Sequence, residues 1–190
     1  MALGLGAISA VMAAYGGFLF TLSLHLQRDL GESVLGAGLT FAPYAAGFAA
    51  TSLTAPRLPR RLLRALPPIG LLVLAAAYTA LTLTVRPGQW QPALTLPLLT
   101  LAGAGFGAGF SPVLTPVLAE VPPAHAAHDA SGVYNTVVQT SYTLGVATIG
   151  SYYLHTAAAS HSHAFSAAGI SSAGLALTAG LIANRLAAPR

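Results

Sequence analysis

The residues best placed to meet another molecule lie between positions 131 and 143. Ser131, Asn135, Gln139 and Tyr142 recur at spacings of four, four and three, which on a helix gathers them on one face. Thr136, Thr140 and Thr143 form a neighbouring stripe. Hydroxyls and carboxamides donate and accept hydrogen bonds, so the chemistry offered is recognition. A second pattern is Gly103, Gly105, Gly107 and Gly109, followed by Pro112 and Pro116. Gly103 with Gly107, and Gly105 with Gly109, make two overlapping small-xxx-small pairs that allow close helix approach. Pro112 and Pro116 each remove a backbone donor and crowd the preceding turn, which makes this segment bendable. Packing and gating both remain open for it.

Catalytic and metal chemistry fit poorly. His155, His161 and His163 lie near one another, as do His125 and His128, but neither group has a Cys or carboxylate at ligand spacing. These histidines read as solvated, and His25 as interfacial. Gly109-Phe110-Ser111 resembles a serine nucleophile setting only faintly. Every His falls at a helix end or in a loop, where a base would not reach it. No phosphate-binding loop is formed, because no Lys follows the glycines. No enzyme activity, metal or cofactor is expected.

The elements that position these residues follow from the scarcity of charge. Asp, Glu, Lys and Arg make up 6% of 190 residues and apolar types 55%, too little polar surface to clothe a water-soluble domain. A lipid bilayer is therefore the expected surroundings. A spanning helix needs about 20 mostly apolar residues. Charge-free stretches predict six spans, at about 2–26, 33–55, 66–85, 92–119, 130–154 and 165–186. The fold class is all-α: a single six-helix membrane domain over 1–190. No Cys is present, which excludes disulfides and thiolate sites. Arg57, Arg60, Arg61 and Arg64 cluster in one short segment, too narrow a footprint for nucleic acid. With Arg185 and Arg190 they outnumber Arg28 and Arg86 on the other side, so both termini read as cytoplasmic in the cell membrane. Met1 leads straight into apolar sequence with no basic n-region, which argues against a cleaved signal and for a chain beginning within a larger protein.

Inside a bilayer the stripe at 131–143 must turn toward protein or a water-filled cavity. Interhelical hydrogen bonds and a substrate cavity are the two readings, the cavity favoured by the stripe's continuity. No carboxylate is expected inside any span.

The run Ser131-Gly132-Val133-Tyr134-Asn135-Thr136-Val137-Val138-Gln139, with Gly145-Val146-Ala147 and Gly150, resembles the major facilitator superfamily, and within it the fourteen-span drug–proton antiporter branch. The Gly-rich segment, Pro112, Val121-Pro122-Pro123 and Asp129 precede it in the matching order. Leu24-His25-Leu26-Gln27, Leu30-Gly31 and Ala37-Gly38-Leu39 match a further stretch. The sequence departs from the family at Val138, where a basic residue is common, and at Ser141 and Tyr142, where glycines are common. The arginine loop looks like a degenerate copy of the family's loop motif without its acidic partner.

The resemblance implies the last six spans of a secondary transporter exporting small hydrophobic compounds in exchange for protons. It implies a missing N-terminal half, or a second subunit, that completes the cavity. The first, second, fourth and fifth spans would supply one wall, with Asn135, Thr136, Gln139 and Tyr142 facing substrate. The alternative from the residues is a self-contained six-helix membrane protein that oligomerises without transport.

Overall fold

A computed structural model describes residues 2–85, 91–119, 126–158 and 161–187. Val121, Pro122, Pro123, His125, Arg86 and Arg190 lie outside the described residues. So do the side chains of Arg60, Pro116, His128, Asp129, Ser131 and His161. Among the described residues every regular element is helical: α1 (Ala2–Arg28), α2 (Val34–Thr40), α3 (Ala42–Thr54), α4 (Arg60–Thr84), α5 (Pro92–Ala119), α6 (Ala126–Ala157) and α7 (His161–Ala187). A single 3-10 turn, Ala55–Arg57, follows α3.

α1 has 27 residues, about 40 Å at 1.5 Å per residue, enough to cross the hydrocarbon layer. It ends where Gly31 takes a left-handed conformation, φ 69°, that residues with a Cβ seldom adopt. The reversal lets the Glu32 N–H donate to the Leu26 carbonyl at 3.0 Å. Ser33 then caps α2, its hydroxyl accepting from the Gly36 N–H at 3.0 Å.

The second span is not one helix, as its sequence suggests, but two. The helix breaks at Phe41 because Pro43, at the second position of α3, has no N–H to donate to the Leu39 carbonyl. The third span also differs. α4 starts at Arg60 instead of near residue 66, and it carries Pro67 and Pro68 inside. Its arginine-bearing first turns extend the helix past its apolar run.

Among the described residues five stretches are long and apolar enough to cross a membrane: Gly4–Arg28, Val34–Arg57, Arg61–Thr84, Pro92–Pro112 and His163–Arg185. α6 is not among them although it has 32 residues, because its hydroxyl and amide side chains lower its hydropathy. The chain is an all-α, multi-pass membrane bundle.

Packing sets the helix order. α1 lies against α6 and α7, α4 against α5 and α7, and α3 against α5. The centre is aromatic: Phe18 of α1 stacks on Tyr78 of α4 with centroids 3.8 Å apart, and Phe165 of α7 tilts against Phe18 at 6.3 Å. Leu22, Leu71, Leu74 and Leu81 are fully buried around them.

Close approach depends on glycine. A Cβ on Gly105 would stand 2.7 Å from the Gly70 carbonyl oxygen and from the Leu74 nitrogen of α4. One on Gly109 would stand 2.7 Å from the Leu71 side chain of the same helix. Gly103 and Gly107 face the other way, against the Tyr44 backbone and the Thr51 side chain of α3. The two overlapping pairs thus serve two different neighbours. At the α1–α6 contact Gly16 lies against the Tyr142 carbonyl, and Gly145 against the Ala13 backbone.

Candidate functional site

Aromatic side chains from four helices converge on one surface. Tyr15 of α1 stacks on Phe106 of α5, with centroids 4.6 Å apart and planes 11° from parallel. Phe106 in turn stacks on Phe110 one turn along α5, at 5.3 Å and 7°. Phe48 of α3 tilts against Phe106 at 5.4 Å, and Tyr44 of α3 against Tyr15 at 5.8 Å. Tyr142 of α6 closes the row, 5.9 Å from Tyr15. Phe106 and Tyr44 are buried, whereas Tyr15, Phe48, Phe110 and Tyr142 are half-buried and leave part of each ring free.

Local sequence explains the placement. Tyr44 and Phe48 are four residues apart on α3, and Phe106 and Phe110 four apart on α5, so each pair shares a helix face. Gly103 and Gly107 bring those two faces together. Gly16 beside Tyr15, and Gly145 beyond Tyr142, let α1 and α6 approach in the same way. The Tyr44 and Tyr78 hydroxyls lie 3.4 Å apart, so the polar end of buried Tyr44 has a partner in the core.

Tyr142 is the one member of this row singled out by the polar stripe. Asn135, Thr136 and Gln139 lie earlier on α6 than Tyr142, all exposed. Val137 and Val138, between them in sequence, are partly buried against the core. The Thr136 hydroxyl donates to the Gly132 carbonyl at 2.8 Å, and Thr143 to Gln139 at 2.8 Å. These threonines satisfy their own hydroxyl hydrogens and keep lone pairs available. Pro112 is half-buried, three residues past Gly109 on α5.

Tyr15, Tyr44, Phe48, Phe106 and Phe110 were not legible as site residues. The available signal was the four-residue spacing of aromatics inside Gly-rich helices, which by itself also describes an ordinary core.

One expectation needs correction. His25 is not interfacial: it is 0% exposed. Its Nδ1 pairs with Asp29 Oδ2, and its ring stacks on Phe165 at 4.4 Å and 10°. Asp29 is a carboxylate folded into the bundle end, 5% exposed, and the Tyr153 hydroxyl donates to it at 3.0 Å.

The remaining candidates stay dispersed. His155 and His163 are exposed, and among the described residues no group of three metal-capable side chains forms. Ser111 shares a hydrogen bond of 3.0 Å with the Ser52 hydroxyl, a group too weakly basic to activate a nucleophile.

The family model for the Major Facilitator Superfamily matches residues 2–146. The chain belongs to the Major Facilitator Superfamily. Its similarity to the probable actinorhodin transporter of Streptomyces coelicolor is 32% identity over 157 residues, covering 80% of this chain and 27% of that protein. The chain therefore spans about a quarter of that relative's length. That relative is named as a transporter.

Proposed function

We propose that this chain forms one six-helix wall of a secondary transporter of the drug–proton antiporter branch, exporting small, flat, largely apolar compounds from the cell. The supporting observation is the aromatic row Tyr15–Phe106–Phe110 with Phe48 and Tyr142. Offset or parallel rings bind planar apolar groups well and discriminate weakly among them, as an efflux surface requires. The row draws on α1, α3, α5 and α6, the spans that the family resemblance assigns to the cavity. Asn135, Thr136 and Gln139 would extend it with hydrogen-bonding groups. The relative from Streptomyces coelicolor, named for transport of actinorhodin, supports export of a small molecule.

In this reading the chain is the C-terminal portion of the transporter, and a second six-helix half, from the same or another polypeptide, closes the cavity. The two halves rock about a midplane site. Both termini face the cytoplasm of a cell-membrane protein, with Arg57, Arg61 and Arg64 on that side.

The test is reconstitution. Liposomes holding this chain alone are expected to show no proton-driven flux of a planar aromatic dye, and flux is expected once the second half is supplied. Robust flux from this chain alone would overturn the half-cavity reading in favour of a self-assembling bundle.

A further inference from the structure

We propose that the groove between α4 and α7 binds an anionic phospholipid, its phosphate held by Arg61 and Arg64 and an acyl chain lying along Ile69, Leu72 and Leu181. The groove measures about 580 Å³, within the roughly 300–1,000 Å³ of small-ligand sites. The aromatic row draws on α1, α3, α5 and α6, so this is a separate site.

Helix periodicity builds the groove. Arg61, Arg64, Pro68 and Leu72 recur at spacings of three, four and four, so they share one face of α4. Leu72 lies about 16 Å beyond Arg61 at 1.5 Å per residue, close to half of a hydrocarbon core about 30 Å thick. α7 runs antiparallel to α4, since Gly180 approaches Leu71 and Pro68 while Gly169 approaches Thr82. That register sets Asn184, one turn past Gly180, level with Arg64, one turn before Pro68. Polar groups therefore gather at one end of the groove and apolar ones along the rest, the order of a headgroup and its chain. Ile69, Leu72 and Leu181 are exposed, and around a multi-pass bundle the surroundings at that depth are acyl chains.

Charge selects the occupant. Arg61 and Arg64 stand in the first turns of α4, the positive end of the helix dipole, where a basic side chain adds to the field it meets. α4 has no acidic residue in its first turn, and among the described residues neither arginine pairs with a carboxylate. Arg57 lies outside the groove, and its guanidinium donates to the Leu53 carbonyl. Two guanidiniums above an apolar trough match a phosphate that carries a chain, because the planar N–H fork of arginine fits phosphate oxygens. The Asn184 carboxamide at the same end offers a hydrogen-bond donor to headgroup or ester oxygens. A zwitterionic lipid presents the same phosphate, but its own ammonium would be brought up against the arginines. The proposal needs only a membrane bundle and does not rest on the transport reading.

The experiment uses the full chain purified in detergent and incubated with equimolar phosphatidylglycerol and phosphatidylcholine of identical acyl chains, bound lipid being counted by native mass spectrometry. Phosphatidylglycerol is expected to exceed phosphatidylcholine by about tenfold or more, each arginine near an anionic headgroup contributing about fivefold. Arg61→Gln with Arg64→Gln is expected to bring the ratio within about twofold of unity. Arg28→Gln with Arg57→Gln removes the same charge outside the groove and is expected to leave the ratio above about fivefold. Ala65→Phe keeps every charge but fills the groove, and is expected to reduce bound phosphatidylglycerol at least about threefold. Glycerol phosphate, an anion without chains, is expected not to displace the lipid. A parent ratio near unity, equal losses in the two double variants, full binding by Ala65→Phe, or displacement by glycerol phosphate would each overturn the proposal. Absence of dye flux with this lipid selectivity intact would strike the transport reading alone.

Discussion

Tyr15 lies flat on Phe106, centroids 4.6 Å apart, and so bridges two helices, α1 and α5, that share little other packing. Tyr15 is half-exposed while Phe106 is buried, so one ring of the pair is fixed by the core and the other has a free face. That asymmetry suits a surface onto which a third flat ring can be laid without rebuilding the interior.

Substituting Tyr15→Ala in the complete transporter is expected to weaken apparent affinity for a planar aromatic substrate by about two- to tenfold, the range of one ring–ring contact. Tyr15→Phe should retain near-normal affinity, since the face is kept and only the hydroxyl goes. Concentration-dependent dye export measures both. Equal affinities for the alanine variant and the parent would remove Tyr15 from the substrate surface.

Gly105→Leu is expected to destabilise the bundle by about 1–3 kcal/mol, because backbone atoms of Gly70 and Leu74 occupy the space its side chain needs. Gly174→Leu on α7 is the control: nothing lies within 4 Å of a Cβ there. Thermal unfolding in detergent, followed by size-exclusion, should separate the two. Matching transition temperatures would mean that α4 and α5 part without loss.

The helices were largely legible because apolar runs bounded by charge give spans directly. Pro43 was visible too, but a single proline four residues past Leu39 signals a break only when its register within the helix is known. The start of α4 at Arg60 was hidden because charge marks the edge of a span, whereas a helix continues into water. Within the site, Tyr142 stood out by its stripe. Phe106 did not, since a buried aromatic and a substrate-touching one look alike until neighbouring rings are in place. His25 was misread for the same reason: the ring that covers it, Phe165, comes from the far end of the chain.

Cysteine at Asn135 or Gln139 is expected to react with small hydrophilic thiol reagents, and substrate should slow that reaction. Cysteine at Val137 should react poorly, since that position leans on the core. The chain has no native Cys, so labelling has no background. Faster reaction at Val137 than at either amide position would make the stripe a helix–helix contact.

Single cysteines at Pro59 and His163, both exposed, report sidedness. In intact cells an impermeant maleimide is expected to label the His163 position and spare the Pro59 position. The reverse pattern would invert the topology drawn from the arginines.

The alternating glycines of α5 commit two of its sides at once. Gly103 and Gly107 are committed to α3, while Gly105 and Gly109 are committed to α4. Sliding α5 by one residue would rotate every side chain by about 100° and carry bulky groups into both seams together. Neither seam can be retuned on its own, so α3, α5 and α4 behave as a single slab. A mutation that widens one joint reaches the opposite joint through the same backbone, and tolerated sequence change in any of the three helices is coupled to the other two.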